Sequence, residues 1–424
     1  MEPGLGIAAI GEKAVILVRT DRETARTVPL GWWMRYTGQS CLDVLRCCRL
    51  QGPLTSRNRR QHARPDQAVN RIRYKQEKDK DNKERIRSFF LPQEPKESSQ
   101  TELESVLKVI NAWLGNTNDD NIGLPAVLHT SIARNSPDIY LLLMWLARRV
   151  LFPNKSNSVV AIDNAAKLRK PILGLATALH WFGVDKARAV AAVYEKLKTE
   201  SLRAEVFRGL LKDIYNLSEG RIGLHHIPTP EILASLIVLP TDEATLKDWA
   251  WWKLARGPAP DRREKPEYPA LQRLKEEREL LIYAQRAYMK RQFGDYDPAR
   301  QDLWEQHNRP WDYDHILASA KVYYKPGIFD GVKAWVYCIA NLRVWPMEDN
   351  RSDQAKPLIG DEGKLNDNLG DSFIEDTERD GFQKGYEGIT VASNVCTFIG
   401  SAKNRLLRIY REWYDTLEIG VLTG

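Results

Sequence analysis

Between Thr101 and about Lys253 the apolar residues fall at helical spacing, and no stretch alternates with period two for long. That pattern commits this part of the chain to helices. Leu103, Val106, Leu107, Ile110 and Leu114 line one side of a segment running Glu102 to Leu114. Ser136-Pro137-Asp138 is a helix start: a capping hydroxyl, proline at the first helical position, then an acid near the positive end. The segment it opens, Ile139 to Leu151, is apolar nearly all round and therefore belongs inside. Pro171 to Phe182 with Gly183 as its stop, then Asp185 to Leu197 and Leu202 to Tyr215, continue the series. Thr229-Pro230-Glu231 opens one more by the same chemistry. The expectation is a bundle of roughly five to seven helices.

The chain's 424 residues are enough for roughly two or three domains with real cores. Its 43% hydrophobic and 28% charged residues are those expected of a soluble globular protein. No apolar run is long enough to cross a bilayer; the best, Ile139 to Phe152, is short and holds Arg148 and Arg149. The first residues, MEPGLGIAAIGEK, lack the basic start and apolar stretch of a signal peptide. The cytoplasm is the expected compartment, with no membrane partner. Cysteines 41, 47, 48, 338 and 396 form no metal-ligand spacing and read as reduced thiols.

A net charge of +7 suits a nucleic-acid partner without requiring one. Arg57, Arg59, Arg60, Arg64, Arg71, Arg73 and Lys75 form one basic stretch, either a solvated face or a phosphate-contacting surface. Residues 1–95 form a basic N-terminal region of unclear fold, with one candidate strand at Ala14 to Val18. Gly4 and Gly6 lack the strand and third glycine of a dinucleotide fingerprint. Residues 96–256 form the helical domain, 257–270 a linker by composition, and 271–424 a last domain. In that last domain Leu271 to Phe293 reads as one long helix. Residues 358–385 read as a Gly- and Asp-rich loop, and Ser393 to Leu417 as an amphipathic helix. The fold class is mainly α, with a small α+β element near its end.

Chemistry concentrates in WDYDHIL at 311–317, followed by Asn341-Leu342-Arg343 and Asn350-Arg351. Phosphodiester cleavage needs an activated attacking oxygen, a cation on the phosphate and help for the leaving oxygen. His315 is suited to deprotonating water at physiological pH. Asp314 and Asn350 offer the hard oxygen ligands that Mg²⁺ prefers. Asn341 would fix the turn between them.

Asp312-Tyr313-Asp314-His315-Ile316, Asn341-Leu342 and Asn350-Arg351 resemble the HNH, or ββα-metal, nuclease motif. The resemblance implies a strand ending in a catalytic histidine, a second strand starting near the middle asparagine, and a helix carrying the last ligand. Asn341 and Asn350 stand nine residues apart, similar to the HNH domain of RNA-guided CRISPR nucleases. His315 and Asn341 are 26 apart, so Lys321 to Ala340 must fold out between the strands. Tyr283-Ala284-Gln285-Arg286, Asp295-Tyr296-Asp297-Pro298 and His307-Asn308-Arg309-Pro310-Trp311 extend the likeness to bacterial restriction and phage-defence endonucleases of the GmrSD type. The C-terminal helix with Arg405, Tyr410, Glu412 and Trp413 is also similar. The Asp-Gly-Gln-Gln-Arg signature of that family's nucleotide domain is absent, so the chain is either the nuclease-bearing half of a split system, with a separate nucleotide-binding or sensing subunit as partner, or a shortened relative.

The resemblance implies an endonuclease or nickase acting on DNA with Mg²⁺ or Mn²⁺: His315 as base, Asp314 and Asn350 as metal ligands, Asn341 structural within the site. Asp312 is either a supporting carboxylate or a surface turn residue. Arg351 either neutralises a phosphate or is a solvated helix residue. His307 approaches the substrate or is an ordinary loop residue. His225 and His226, with no acid or cysteine near them in sequence, read as no metal site. Trp249, Trp251 and Trp252 read as packing rather than base-stacking residues. The competing reading of the whole chain is a non-catalytic helical subunit that binds DNA or a partner in a defence complex.

Overall fold

In the computed structural model the described residues are 4–10, 13–20, 24–29, 98–115, 121–152, 165–216, 223–247, 249–250, 255–256, 265–298, 309–323, 325–353, 356–360, 363–366 and 368–424. The protein is mainly helical. The basic stretch at 57–75, His307, and the side chains of Trp249, Trp251 and Trp252 lie outside the described residues.

Strands β1 (Gly4–Ile10), β2 (Lys13–Thr20) and β3 (Thr24–Pro29) form an antiparallel meander in that order. The candidate strand at Ala14 to Val18 is the middle of β2. Helices α1 (Ser98–Leu114), α2 (Ala126–Asn135), α3 (Pro137–Leu151), α4 (Arg169–Phe182) and α5 (Lys186–Leu197) follow. Then come α6 (Leu210–Asn216), α7 (Pro230–Leu236), α8 (Glu243–Lys247) and the two-residue strands β4 (Trp249–Ala250) and β5 (Ala255–Arg256). Next are α9 (Tyr268–Leu274), α10 (Arg278–Ala284), α11 (Arg286–Phe293) and β6 (Trp311–His315). The chain ends with α12 (Ala320–Tyr323), α13 (Asp330–Val336), β7 (Leu342–Pro346), α14 (Met347–Asp353), α15 (Asp376–Glu387), α16 (Ala392–Thr416) and α17 (Ile419–Thr423).

Two compact units result, and they interleave along the chain. One comprises residues 1–115, 129–169 and 190–202; the other comprises 116–128, 170–189 and 203–424. Compositional breaks at 95, 256 and 270 do not mark this division, because it follows packing and not local polarity. In the first unit α1 packs on α3, and the Trp113 indole donates to the Ala165 carbonyl at 2.6 Å. Arg149 lies over the Trp145 ring and donates to the Leu197 carbonyl at 2.5 Å.

The second unit is built around α16. Its apolar side is buried at Phe398, Leu406, Ile409 and Trp413, at the spacing the sequence shows. Trp413 stacks on Phe182 with ring centres 5.3 Å apart, and its indole donates to Thr177 Oγ1 at 2.9 Å. Burial of these aromatic side chains contributes to the unit's cohesion.

Four expectations are corrected. Ser136 caps α3 by position only, since its hydroxyl accepts no cap bond, whereas Thr229 does accept from the Ile232 amide at 3.3 Å. The expected Leu202–Tyr215 helix is a 3-10 turn (Ala204–Phe207) and then α6, because Gly209 between them takes φ +68°. The expected long helix over 271–293 is three short ones, α9 to α11. The expected loop over 358–385 contains most of α15. Its glycines are packing positions: a Cβ on Gly381 would lie 1.8 Å from Ser401 Oγ, and one on Gly385 would lie 3.1 Å from Phe398. Glu375 and Glu378 start α15 with a reciprocal capping box.

Candidate functional site

β6 and β7 form an antiparallel hairpin in which Asp312 opposes Trp345, Asp314 opposes Arg343 and His315 opposes Leu342. The insert between them folds as α12, α13 and a 3-10 turn at Ile339–Asn341. α14 starts directly after β7 and packs on both strands. The order is therefore strand, strand, helix.

Asn341 is fully buried. Its side chain accepts from the Leu317 amide at 2.9 Å and donates to the Leu317 and Val336 carbonyls at 3.0 Å each. All three bonds tie the end of β6 to the insert, which explains the asparagine: a primary amide supplies an acceptor and two N–H donors in one short side chain. From the other side, Arg405 of α16 donates to the carbonyls of Ile339, Ala340, Ser372 and Phe373. Burial pulls its guanidinium down to about 9.

Gln285, at the junction of α10 and α11, ties these helices to the hairpin. Ile316 donates to the Asn341 carbonyl and Met347 to the Pro310 carbonyl, so the Tyr313–Val344 pair is one whose backbone groups point out of the hairpin. The Gln285 side chain meets both of them, accepting from the Val344 amide at 2.8 Å and donating to its carbonyl at 3.2 Å. Its amide also donates to the Asp371 carbonyl at 2.7 Å. Arg286 beside it bonds Glu412 at 2.7 Å.

Successive strand residues face opposite sides, and this separates Asp314 from His315. Asp314 is 4% exposed. Its carboxylate accepts from Arg343 Nε at 2.8 Å and from Lys364 Nζ at 3.1 Å on each oxygen. The side chains of Arg343 and Lys364 are both fully buried. Arg343 also lies 3.9 Å above the Trp345 ring, donates to Ser372 Oγ at 3.0 Å and stands 3.6 Å from Asp353 on α14. Asn350, half-buried, lies three residues before Asp353 and shares that side of α14. Arg351 is exposed; Asp312 is half-buried on the Asp314 side of β6.

His315 is on the other side, edge-on to Tyr337 at 5.6 Å. Its Nε2 is buried without a hydrogen-bond partner. Burial pushes its pKa below the ordinary imidazole value; Asp314 opposes this, and Lys364 and Arg278 reinforce it. The ring is thus held neutral at physiological pH, as a base requires.

Asp314 does not fit the expected role of Mg²⁺ ligand in this arrangement. Both Asp314 oxygens already hold cations, so an incoming divalent ion would meet two like charges in a dry site. Among the described residues no group of three or more His, Cys, Asp or Glu side chains could hold a metal ion. The structure does bring an acid near His226, Glu267 Oε1 at 3.6 Å, which its sequence neighbours do not show. Sequence reading missed Lys364, Arg343 as partner of Asp314, and the strand-like use of Gln285. One signal was present for Arg343: a charge at an inward register position opposite Asp314. No described helix is long and apolar enough to cross a membrane. No family model matches the chain, and no curated protein or solved structure matches it.

Proposed function

We propose that the chain is a nuclease that hydrolyses DNA phosphodiester bonds, with His315 as general base, in bacterial defence against phage or modified DNA. One observation supports this most. A buried, unpartnered imidazole nitrogen stands at the end of the first strand of a strand–strand–helix unit. Such a nitrogen has lost water and gained nothing from the protein, which is costly unless a ligand or its water completes it. Asn341 and Arg405 hold the loop that follows it, so the ring's position is preorganised. The reaction class calls for Mg²⁺ or Mn²⁺ to stabilise charge on the phosphate and the departing oxygen. Asp314 has no oxygen available for that ion in this arrangement, so no step is assigned to it. Purified protein supplied with Mg²⁺ or Mn²⁺ should nick supercoiled plasmid, and His315→Ala should abolish nicking while leaving the circular-dichroism melt unchanged. Equal nicking by both proteins overturns the proposal.

A second reading, a non-catalytic subunit that binds DNA or a nucleotide-binding partner, is favoured by the Asp314–Arg343–Lys364 cluster. In it the carboxylate serves structure alone. Calorimetry separates the two: this subunit takes up no Mg²⁺ or Mn²⁺ and nicks nothing.

A further inference from the structure

The side of β6 that carries His315 also carries Tyr313, about 7 Å along the strand. Two guanidiniums lie against the Tyr313 ring, Arg278 at 4.8 Å and Arg309 at 4.7 Å from its centre. Both arginines are exposed, although the ring they lie against is largely covered. Burial pushes the Tyr313 hydroxyl up to about 12, so the ring is a neutral platform. Stacking uses the face of a guanidinium and leaves its in-plane N–H donors for another ligand. Arg309 spends one donor on the Trp311 carbonyl at 3.0 Å, which fixes its direction. Arg278 opens α10, where the helix dipole disfavours a cation. The carboxylates on either side of it are engaged elsewhere. Glu277 lies 2.6 Å from Arg273 and is pushed up to about 7 by burial. Glu279 accepts from the Trp181 indole and pairs with His180, at 2.9 Å each.

We propose that Arg278 and Arg309, stacked on Tyr313, are a seat for the phosphodiester backbone of DNA, positioning a strand beside His315. Naming DNA as the occupant rests on the nuclease reading. The contacts are to phosphates, so the seat holds any sequence equally.

The test is anisotropy of a labelled DNA duplex with the full chain, in EDTA, over a range of salt concentrations. Arg278→Gln and Arg309→Gln should each weaken binding to unrelated sequences alike and lower the slope of log affinity against log salt by about one. Arg278→Lys and Arg309→Lys, which keep the charge, should keep the slope. Unchanged affinity and slope in the Arg278→Gln/Arg309→Gln double variant overturns the seat, as does a wild type that binds no DNA or a weakening confined to one sequence. Arginine-dependent binding without nicking removes the nuclease reading and leaves the seat. Nicking indifferent to both arginines does the reverse.

Discussion

Asp314 and Arg343 face each other across the hairpin at 2.8 Å, and Lys364 closes the other side of the same carboxylate. One buried anion thus answers two buried cations. Asp314→Ala should destabilise the protein by about 3–5 kcal/mol, because Lys364 loses its carboxylate and Arg343 keeps only the more distant Asp353. Replacing Asp314, Arg343 and Lys364 together by apolar residues should cost much less than the sum of the single changes. Urea denaturation measures both; additive losses would show that the three residues do not act as a unit.

Asn341→Ala leaves the Leu317 amide and the carbonyls of Leu317 and Val336 buried without a partner. A loss on the order of 3 kcal/mol or more follows. The same denaturation midpoint reads it, and a change under about 1 kcal/mol would mean the loop rearranges to satisfy itself.

At Gln285 the choice of substitute sets the order of damage. Gln285→Leu removes both bonds to Val344, a loss of about 2–3 kcal/mol. Gln285→Glu should be worse, since a carboxylate turned toward the Val344 and Asp371 carbonyls repels both. Thermal melts of the two variants rank them, and a milder Gln285→Glu contradicts the assigned amide orientation.

Helix propensity favours alanine over glycine by about 1 kcal/mol, yet Gly381→Ala should destabilise. The new methyl would sit 2.5 Å from the fixed Ser401 Cβ, and overpacking of this kind costs about 1–3 kcal/mol. Ser401→Gly in the same chain should recover part of the loss. Stabilisation by Gly381→Ala alone would show that α15 and α16 separate readily.

Acid sensitivity should come from His129, which burial holds down to about 4. Below pH 6.5 the unfolded chain takes a proton that the folded one refuses. The stability from the neutral ring is complete above about pH 6.5 and is lost as pH falls through about 4, a total of roughly 3 kcal/mol. His129→Phe should flatten stability against pH over that window; an unchanged slope assigns the sensitivity elsewhere.

Much of the helical frame was legible because its signals are local. Pro137 starts α3, the apolar side of α16 repeats at the right spacing, and the ends of β6 and β7 fall beside His315 and Asn341. What escaped depends on groups far apart in the chain. Lys364 reaches Asp314 from fifty residues away, out of a stretch read as loop. The glycines of α15 resemble loop glycines until Ser401 and Phe398 are seen against them. The separation of Asp314 from His315 follows from strand alternation, but only once pairing with Arg343 shows that 314 lies within the strand. Gln285 is a good helix former by composition, and its use as a partner for the Val344 backbone shows only once the strand lies beside it.

A two-stranded ribbon ordinarily leaves its rims open to any extended peptide that drifts past. On the β7 rim a glutamine borrowed from a helix junction already occupies the one residue, Val344, whose backbone looks outward mid-strand. Recruitment of another molecule by strand extension, and runaway stacking of copies, are both blocked at the middle of that rim.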